Sequence, residues 1–206
     1  MSVDVDFFFF LQDAFIGGTS TSSVTLLWAM SEIIKSPRVM RKVQSEIRSS
    51  VSGKPRVEVS DTPQLKYLRM VIKETLRLHP PAPFLIPRET MQHIQLLGYD
   101  LPPRTRIFVN VWAIGRDPAC WKNPEEFYPE RFEDADIDFQ GLDFELLPFG
   151  VGRAGRCVCV VATFKCAYML LKTQALFVNL SRARGAGAQD GPNVAPTVAL
   201  RFLWVL

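Results

Sequence analysis

Glu74 and Arg77 stand three residues apart in a segment that is otherwise apolar, with Tyr67, Leu68, Val71, Ile72 and Leu76 recurring at helical spacing around them. Three positions along a helix is one face, so the acid and the base can pair. On a surface such a pair stabilises by less than about 1 kcal/mol. On an apolar helix the constraint is heavier, because a buried pair needs further hydrogen bonds to offset its lost hydration. A chain carrying this pair has to bring other polar groups to that helix. Arg131, in Pro129-Glu130-Arg131-Phe132, is the candidate third member. The helix is expected over about 65–78 and ends at His79-Pro80-Pro81, where the prolines remove donors and disfavour helical geometry before them.

Upstream, a long helix is expected over 12–35, from Phe15, Ile16, Leu26, Leu27, Met30, Ile33 and Ile34. Its middle, Gly17-Gly18-Thr19-Ser20-Thr21-Ser22-Ser23, is poor helix material that tertiary packing must hold. Ser36-Pro37 starts a second helix as N-cap and first-turn proline. That helix carries Val39, Val43 and Ile47 on one stripe and runs to about Val51, with Gly53-Lys54-Pro55 breaking it. After the third helix the period becomes two. Leu85-Ile86, Ile94 to Leu97 and Arg106 to Val109 are expected as short strands, with a turn at Gly98-Tyr99-Asp100. Residues 117–152 have little periodicity, which in a compact domain points to function or to packing on something large. The fold class is mainly α with a small β region.

Several functions are disfavoured at once. With 24 basic and 21 acidic residues the net charge is +3, and the cations are spread along the chain, so a nucleic-acid surface is not indicated. Cys120, Cys157, Cys159 and Cys166 are too sparse for a disulfide scaffold. A zinc site is also disfavoured, because Cys157 and Cys159 lack the usual two-residue spacing and Cys120 and Cys166 form no second pair. Phe7 to Leu11 is apolar but short and flanked by Asp4, Asp6 and Asp13, so no membrane anchor is read in the chain.

Four segments together resemble one family. Lys73-Glu74-Thr75-Leu76-Arg77-Leu78-His79-Pro80-Pro81-Ala82-Pro83 resembles the helix-K signature of cytochromes P450, in the form common among plant members. Pro129-Glu130-Arg131-Phe132 resembles the family's second signature, and Gly17-Gly18-Thr19-Ser20-Thr21 its oxygen-binding groove in helix I. Pro148-Phe149-Gly150-Val151-Gly152-Arg153 resembles the start of its haem-binding loop. The resemblance implies the C-terminal part of that fold, from helix I to the haem loop, incomplete in this chain. It implies that Glu74, Arg77 and Arg131 form a structural triad bracing the haem loop. Thr21 would help deliver protons to iron-bound dioxygen, with Ser20 where the family usually has an acid. Ala82 to Arg88 would line the substrate pocket, and Arg88 would meet a haem propionate, a carboxylate suited to a bidentate cation.

The haem loop departs from the family pattern. Counting from Phe149, Gly152 fits, but the cysteine position falls on Arg156, and Cys157 is one residue late. A one-residue insertion makes Cys157 the iron ligand and puts Cys159 where a glycine is expected; Cys159, or no ligand, is the alternative. A thiolate ligand needs positive charge nearby to stay ionised, and Arg153 and Arg156 are candidates to supply it. Phe149, Gly152 and Arg153 would complete the cofactor loop.

The resemblance covers residues 12–157. Residues 1–11 read as a leader outside the family and 158–206 as an out-of-family, partly flexible tail, as a retained intron or a shifted frame would produce. The function implied is a haem-dependent monooxygenase acting on a small apolar molecule, with electrons from NADPH through a reductase. The alternative is a truncated, non-catalytic chain that binds haem weakly or not at all. Full-length relatives are expected on the cytosolic face of the endoplasmic reticulum, whereas this chain, read without an anchor, is expected in the cytosol or at a location the sequence leaves open.

Overall fold

The computed structural model describes the backbone of residues 3–50, 64–139 and 142–151, and side chains within them from residue 19 onward. Helix α1 runs Val3–Lys35, α2 Pro37–Ser50 and α3 Lys66–Leu78. The α1 helix is continuous through 17–23 and extends back past residue 12, so no structural break marks the expected leader boundary at 11. Thr25 donates its hydroxyl to the Thr21 carbonyl at 2.9 Å, one turn back. The chain then turns at Ser36 directly into α2, whose first residue is Pro37, where a missing N–H costs nothing. The break expected at Gly53-Lys54-Pro55 lies outside the described residues.

The core forms where three helical stripes meet. Ala29 and Ile33 of α1, Val39, Val43 and Ile47 of α2, and Leu68, Val71, Ile72 and Leu76 of α3 make one buried cluster. The α2 stripe is the four-residue repeat read from the sequence. A second cluster, Trp121, Phe132 and Leu146, lies beyond α3 and joins the irregular segment to the helices.

The start of α3 is completed by another helix. Glu46 of α2 accepts the backbone N–H groups of Tyr67 and Leu68 at 2.7 and 2.9 Å, while Leu65, at the cap position, offers no side-chain bond. A carboxylate on two first-turn donors also sits favourably in the helix dipole.

The β region is two antiparallel pairs. Strands β1 (Arg88–Glu89) and β4 (Arg106–Ile107) pair with Arg88 opposite Ile107, and β2 (Ile94–Leu96) and β3 (Tyr99–Leu101) pair with Ile94 opposite Leu101. The expected strand at Leu85-Ile86 is not formed. Leu85 has φ of +53° and its N–H closes a turn on the Ala82 carbonyl, so pairing starts only after Pro87. The hairpin turn is Leu97-Gly98, with φ of +50° and +83°, and Tyr99-Asp100 belong to the strand. A short helix α4 (Val111–Ile114), which periodicity did not reveal, is capped by the Asn110 side chain accepting from Ala113 N–H at 3.0 Å. A 3-10 turn follows at Pro129–Phe132. Among the described residues no helix is long and apolar enough to cross a membrane.

Glu46→Ala leaves two α3 donors uncapped and should cost about 1 kcal/mol, with Glu46→Gln costing less. Equilibrium urea unfolding of the two variants checks the order; equal stability of Glu46→Ala and the parent chain would show that water caps α3 equally well.

Candidate functional site

Helix α3 packs on both other helices and on the 3-10 turn, so its polar pair is fully enclosed. Glu74 and Arg77 have no solvent exposure at their side chains. Arg77 Nε donates to Glu74 Oε2 and Nη2 to Oε1, both at 2.8 Å, a two-pronged pairing of guanidinium and carboxylate. The remaining Arg77 donors reach backbone carbonyls: Nη1 those of Gly115 and Pro124 at 2.5 and 2.7 Å, and Nη2 that of Glu126 at 3.1 Å. All of its donors are thereby used.

Glu74 is equally saturated. Its Oε1 also accepts from Arg131 Nε at 3.0 Å and from the Tyr128 backbone N–H at 2.8 Å. Arg131 spends its other groups on the carbonyls of Lys122, Asn123 and Glu126. Both guanidinium groups lie over the Trp121 ring, at 5.3 and 5.9 Å from its centre. The indole Nε1 of Trp121 is buried without a hydrogen-bond partner among the described residues. Arg77 and Arg131 thus share the Glu74 carboxylate. The triad's hydrogen bonds run mostly to the segment 115–128, which has almost no regular structure of its own.

Two further contributors carried no sequence signal. Gly115 approaches α3 so closely that a Cβ there would lie 2.4 Å from the Arg77 carbonyl oxygen. Glu130, beside Arg131, accepts from Arg38 at Nη1 and Nη2, from Lys42 at 2.8 Å and from the Tyr67 hydroxyl at 3.0 Å. Burial alone would raise the Glu130 carboxyl, but those bonds and one from its own backbone N–H outweigh burial and bring it down to about 2. Burial, and then the bond to Glu130, pushes the Tyr67 phenol up. Sequence separations near ninety residues hide such contacts from any local pattern.

The other candidate residues are dispersed around this centre. Thr21 is half-buried on α1 and Ser20 is exposed. Two turns beyond Thr21, Trp28 stacks on His79, rings 3.9 Å apart and nearly parallel, and His79 Nε2 lies 3.1 Å from Glu32 Oε1. Burial pushes the His79 imidazole down, only partly opposed by Glu32. Arg88 is exposed on β1 and makes no ion pair among the described residues. Apolar Phe84 and Ile86, nearby in the chain, and Phe108, next to the strand partner Ile107, are exposed as well, at 53%, 83% and 57%. Phe149 packs against the helical core, and Gly150, with φ of +76°, carries the loop past Leu85. A Cβ at Gly150 would meet the Leu85 side chain at 3.2 Å. Gly152, Arg153, Cys157 and Cys159 lie outside the described residues.

The sequence model of the family Cytochrome P450 matches residues 9–159. This chain belongs to the cytochrome P450 family. The 4-hydroxyphenylacetaldehyde oxime monooxygenase of Sorghum bicolor is 58% identical over 142 residues, which are 68% of this chain and 27% of that protein. Cytochrome P450 71B37 of Arabidopsis thaliana is 57% identical over 143 residues, 69% of this chain and 29% of that protein. Cytochrome P450 71D2 of Catharanthus roseus is 51% identical over 178 residues, 86% of this chain and 34% of that protein, a span longer than 12–157. The chain therefore spans about a third or less of the length of these cytochrome P450 relatives. A zebra fish cytochrome P450 solved with progesterone superposes with a TM-score of 0.68 at 35% identity, covering 79% of this chain and 36% of that one. The fold is the corresponding part of the cytochrome P450 fold.

Glu74→Ala leaves two buried guanidinium groups without their carboxylate and should cost about 3–5 kcal/mol. Arg77→Lys should cost more than Arg131→Lys, since Arg77 is wholly enclosed. Thermal unfolding of the three variants checks this ranking, and a near-neutral Glu74→Ala would show that the network does not hold the fold. His79 supplies a pH test. A base whose folded pKa is depressed gives stability that is full above its ordinary value near 6.5 and is lost as pH falls from there toward the folded pKa. His79→Gln should flatten that part of the stability profile; an unchanged slope in the variant would assign it to other groups.

Proposed function

We propose that this chain carries the oxygen-activating and haem-loop portion of a haem-thiolate monooxygenase that oxidises a small apolar molecule. The observation that carries the reading is the saturated Glu74–Arg77–Arg131 network, which fastens the irregular segment ahead of residues 148–151 to the helical core. A bound haem with a thiolate ligand supplies the one-electron and dioxygen chemistry. Cys157 is the proposed ligand, with Cys159 as the alternative, and Arg153 and Arg156 favour the ionised thiol.

The described residues suit the rim of such a group. Arg88 offers an exposed cation for a propionate, and Phe84, Ile86 and Phe108 offer apolar surface that water would otherwise cover. Gly150 brings the loop backbone close to Leu85. Thr21 holds and passes a proton at its hydroxyl. Ser20, in place of an acid, relays through water without storing charge, so proton delivery depends more on Thr21.

Electrons are proposed to come from NADPH through a cytochrome P450 reductase, with the full-length protein on the cytosolic face of the endoplasmic reticulum. The name of the Sorghum relative makes aromatic aldoximes one substrate class worth assaying. The second reading, a non-catalytic chain that binds haem weakly or not at all, rests on the haem loop, where Cys157 falls one residue late of the family pattern.

One measurement separates the two readings. The purified chain, titrated with haem, reduced and exposed to carbon monoxide, should give the red-shifted Soret band of a thiolate ligand. Cys157→Ala should abolish that band and Cys159→Ala should leave it. A band typical of neutral ligands, or no haem uptake, would favour the non-catalytic reading.

A further inference from the structure

The 3-10 turn 129–132 is fastened to α3 at two points, and only one of them belongs to the triad. Adjacent side chains on a three-residue-per-turn helix leave its axis about 120° apart. Arg131 goes to Glu74, whereas Glu130 goes to Tyr67. Tyr67 and Glu74 are seven residues apart on α3, which is two turns along one face and about 10 Å. The turn thus straddles that face, held at both ends.

The Glu130 end is also where α2 enters. Arg38 and Lys42, one turn apart on α2, both reach Glu130 Oε1, and Arg38 also bonds Oε2 at 3.1 Å. Arg38 lies over the Tyr128 ring at 5.3 Å, and Lys42 lies over the Tyr67 ring at the same distance. Tyr128 is the residue whose N–H bonds Glu74. Arg38 therefore touches the residues on both sides of Pro129, one a ligand of the triad carboxylate and the other its neighbour in the turn.

We propose that Glu130 is a positioning residue for the triad: held by Arg38, Lys42 and Tyr67, it fixes the turn so that Arg131 and the Tyr128 amide reach Glu74. Helix α2 is thereby a strut of the triad although none of its residues touches Glu74. The two ends differ in their access to solvent. Glu130 is 7% exposed, but Arg38 and Lys42 are 47% and 51% exposed, whereas the Glu74–Arg77 pair is sealed. Salt therefore reaches the α2 end and not the triad itself, since at about 1 M the screening length falls to about 3 Å. The strut loosens with ionic strength while the buried pair stays intact.

Hydrogen exchange read by mass spectrometry on the whole chain tests this without requiring haem, so its outcome is independent of the monooxygenase reading. In Glu130→Gln, peptides covering 122–133 should exchange about tenfold faster, with the C-terminal turn of α3 unchanged. The parent chain moved to about 1 M salt should shift the same peptides in the same direction. Glu130→Gln should show no further salt response. Arg38→Gln combined with Lys42→Gln removes the cations from exposed positions, leaves the carboxylate in place, and should reproduce the effect if Glu130→Gln folds poorly. Faster exchange confined to 37–50, or an equal salt response with and without the Glu130 charge, would overturn the proposal and leave Glu130 as an anchor of α2 alone.

Discussion

The structure depends on a single carboxylate. Glu74 lies on the face of α3 that the rest of the chain covers, and its ionised form is tolerable there only because four donors occupy its two oxygens. The same requirement acts on Arg77, whose donors divide between Glu74 and three carbonyls. Burying one ion pair thereby dictates the path of a segment some forty residues away. Residues 115–128 have no helical or sheet ladder to satisfy their carbonyls, and the two arginines perform that role. Each side solves the other's desolvation problem, which is why a buried ion pair and a structureless segment occur together.

Around this centre the helices are joined by polar contacts at their ends as well as by apolar stripes along their lengths. Glu46 caps α3 from α2, and Glu130 ties α2 to the turn that carries Arg131. Lys73, on the other side of α3, donates to the Ile137 carbonyl at 2.6 Å and lies over the Phe132 ring. Burial pushes the Lys73 ammonium down, with Asp138 opposing. Charged side chains thus anchor the segment 115–139 from several sides, while Trp121, Phe132 and Leu146 fill the space beneath it. The balance suits a region that has to present loop backbone at fixed positions without a sheet to hold it.

The other face is less finished. Val24, Leu27 and Trp28 on α1, with Phe84, Ile86 and Phe108 farther along, remain in contact with solvent. Apolar side chains on this scale suit packing against the remainder of a longer fold, in keeping with relatives about two and a half times the length of this chain. The stack of Trp28 on His79 joins α1, which carries the Gly-Thr stretch, to the end of α3.

The sequence alone determined what local chemistry can express. It placed α2 and α3 nearly to the residue, because four-residue apolar repeats and prolines act over a few positions, and it picked out Arg131 as a partner of Glu74 through its motif. It misplaced the first strand, because Leu85, at φ of +53°, closes a turn onto Ala82 that apolar alternation does not reveal. It did not find α4, whose four residues are too few to show a period. The roles of Gly115, Glu46 and Glu130 were decided only by tertiary structure. Each acts across tens of residues, through a close backbone approach or a carboxylate on a distant donor, and such distances are set by how three helices pack and not by any spacing along the chain.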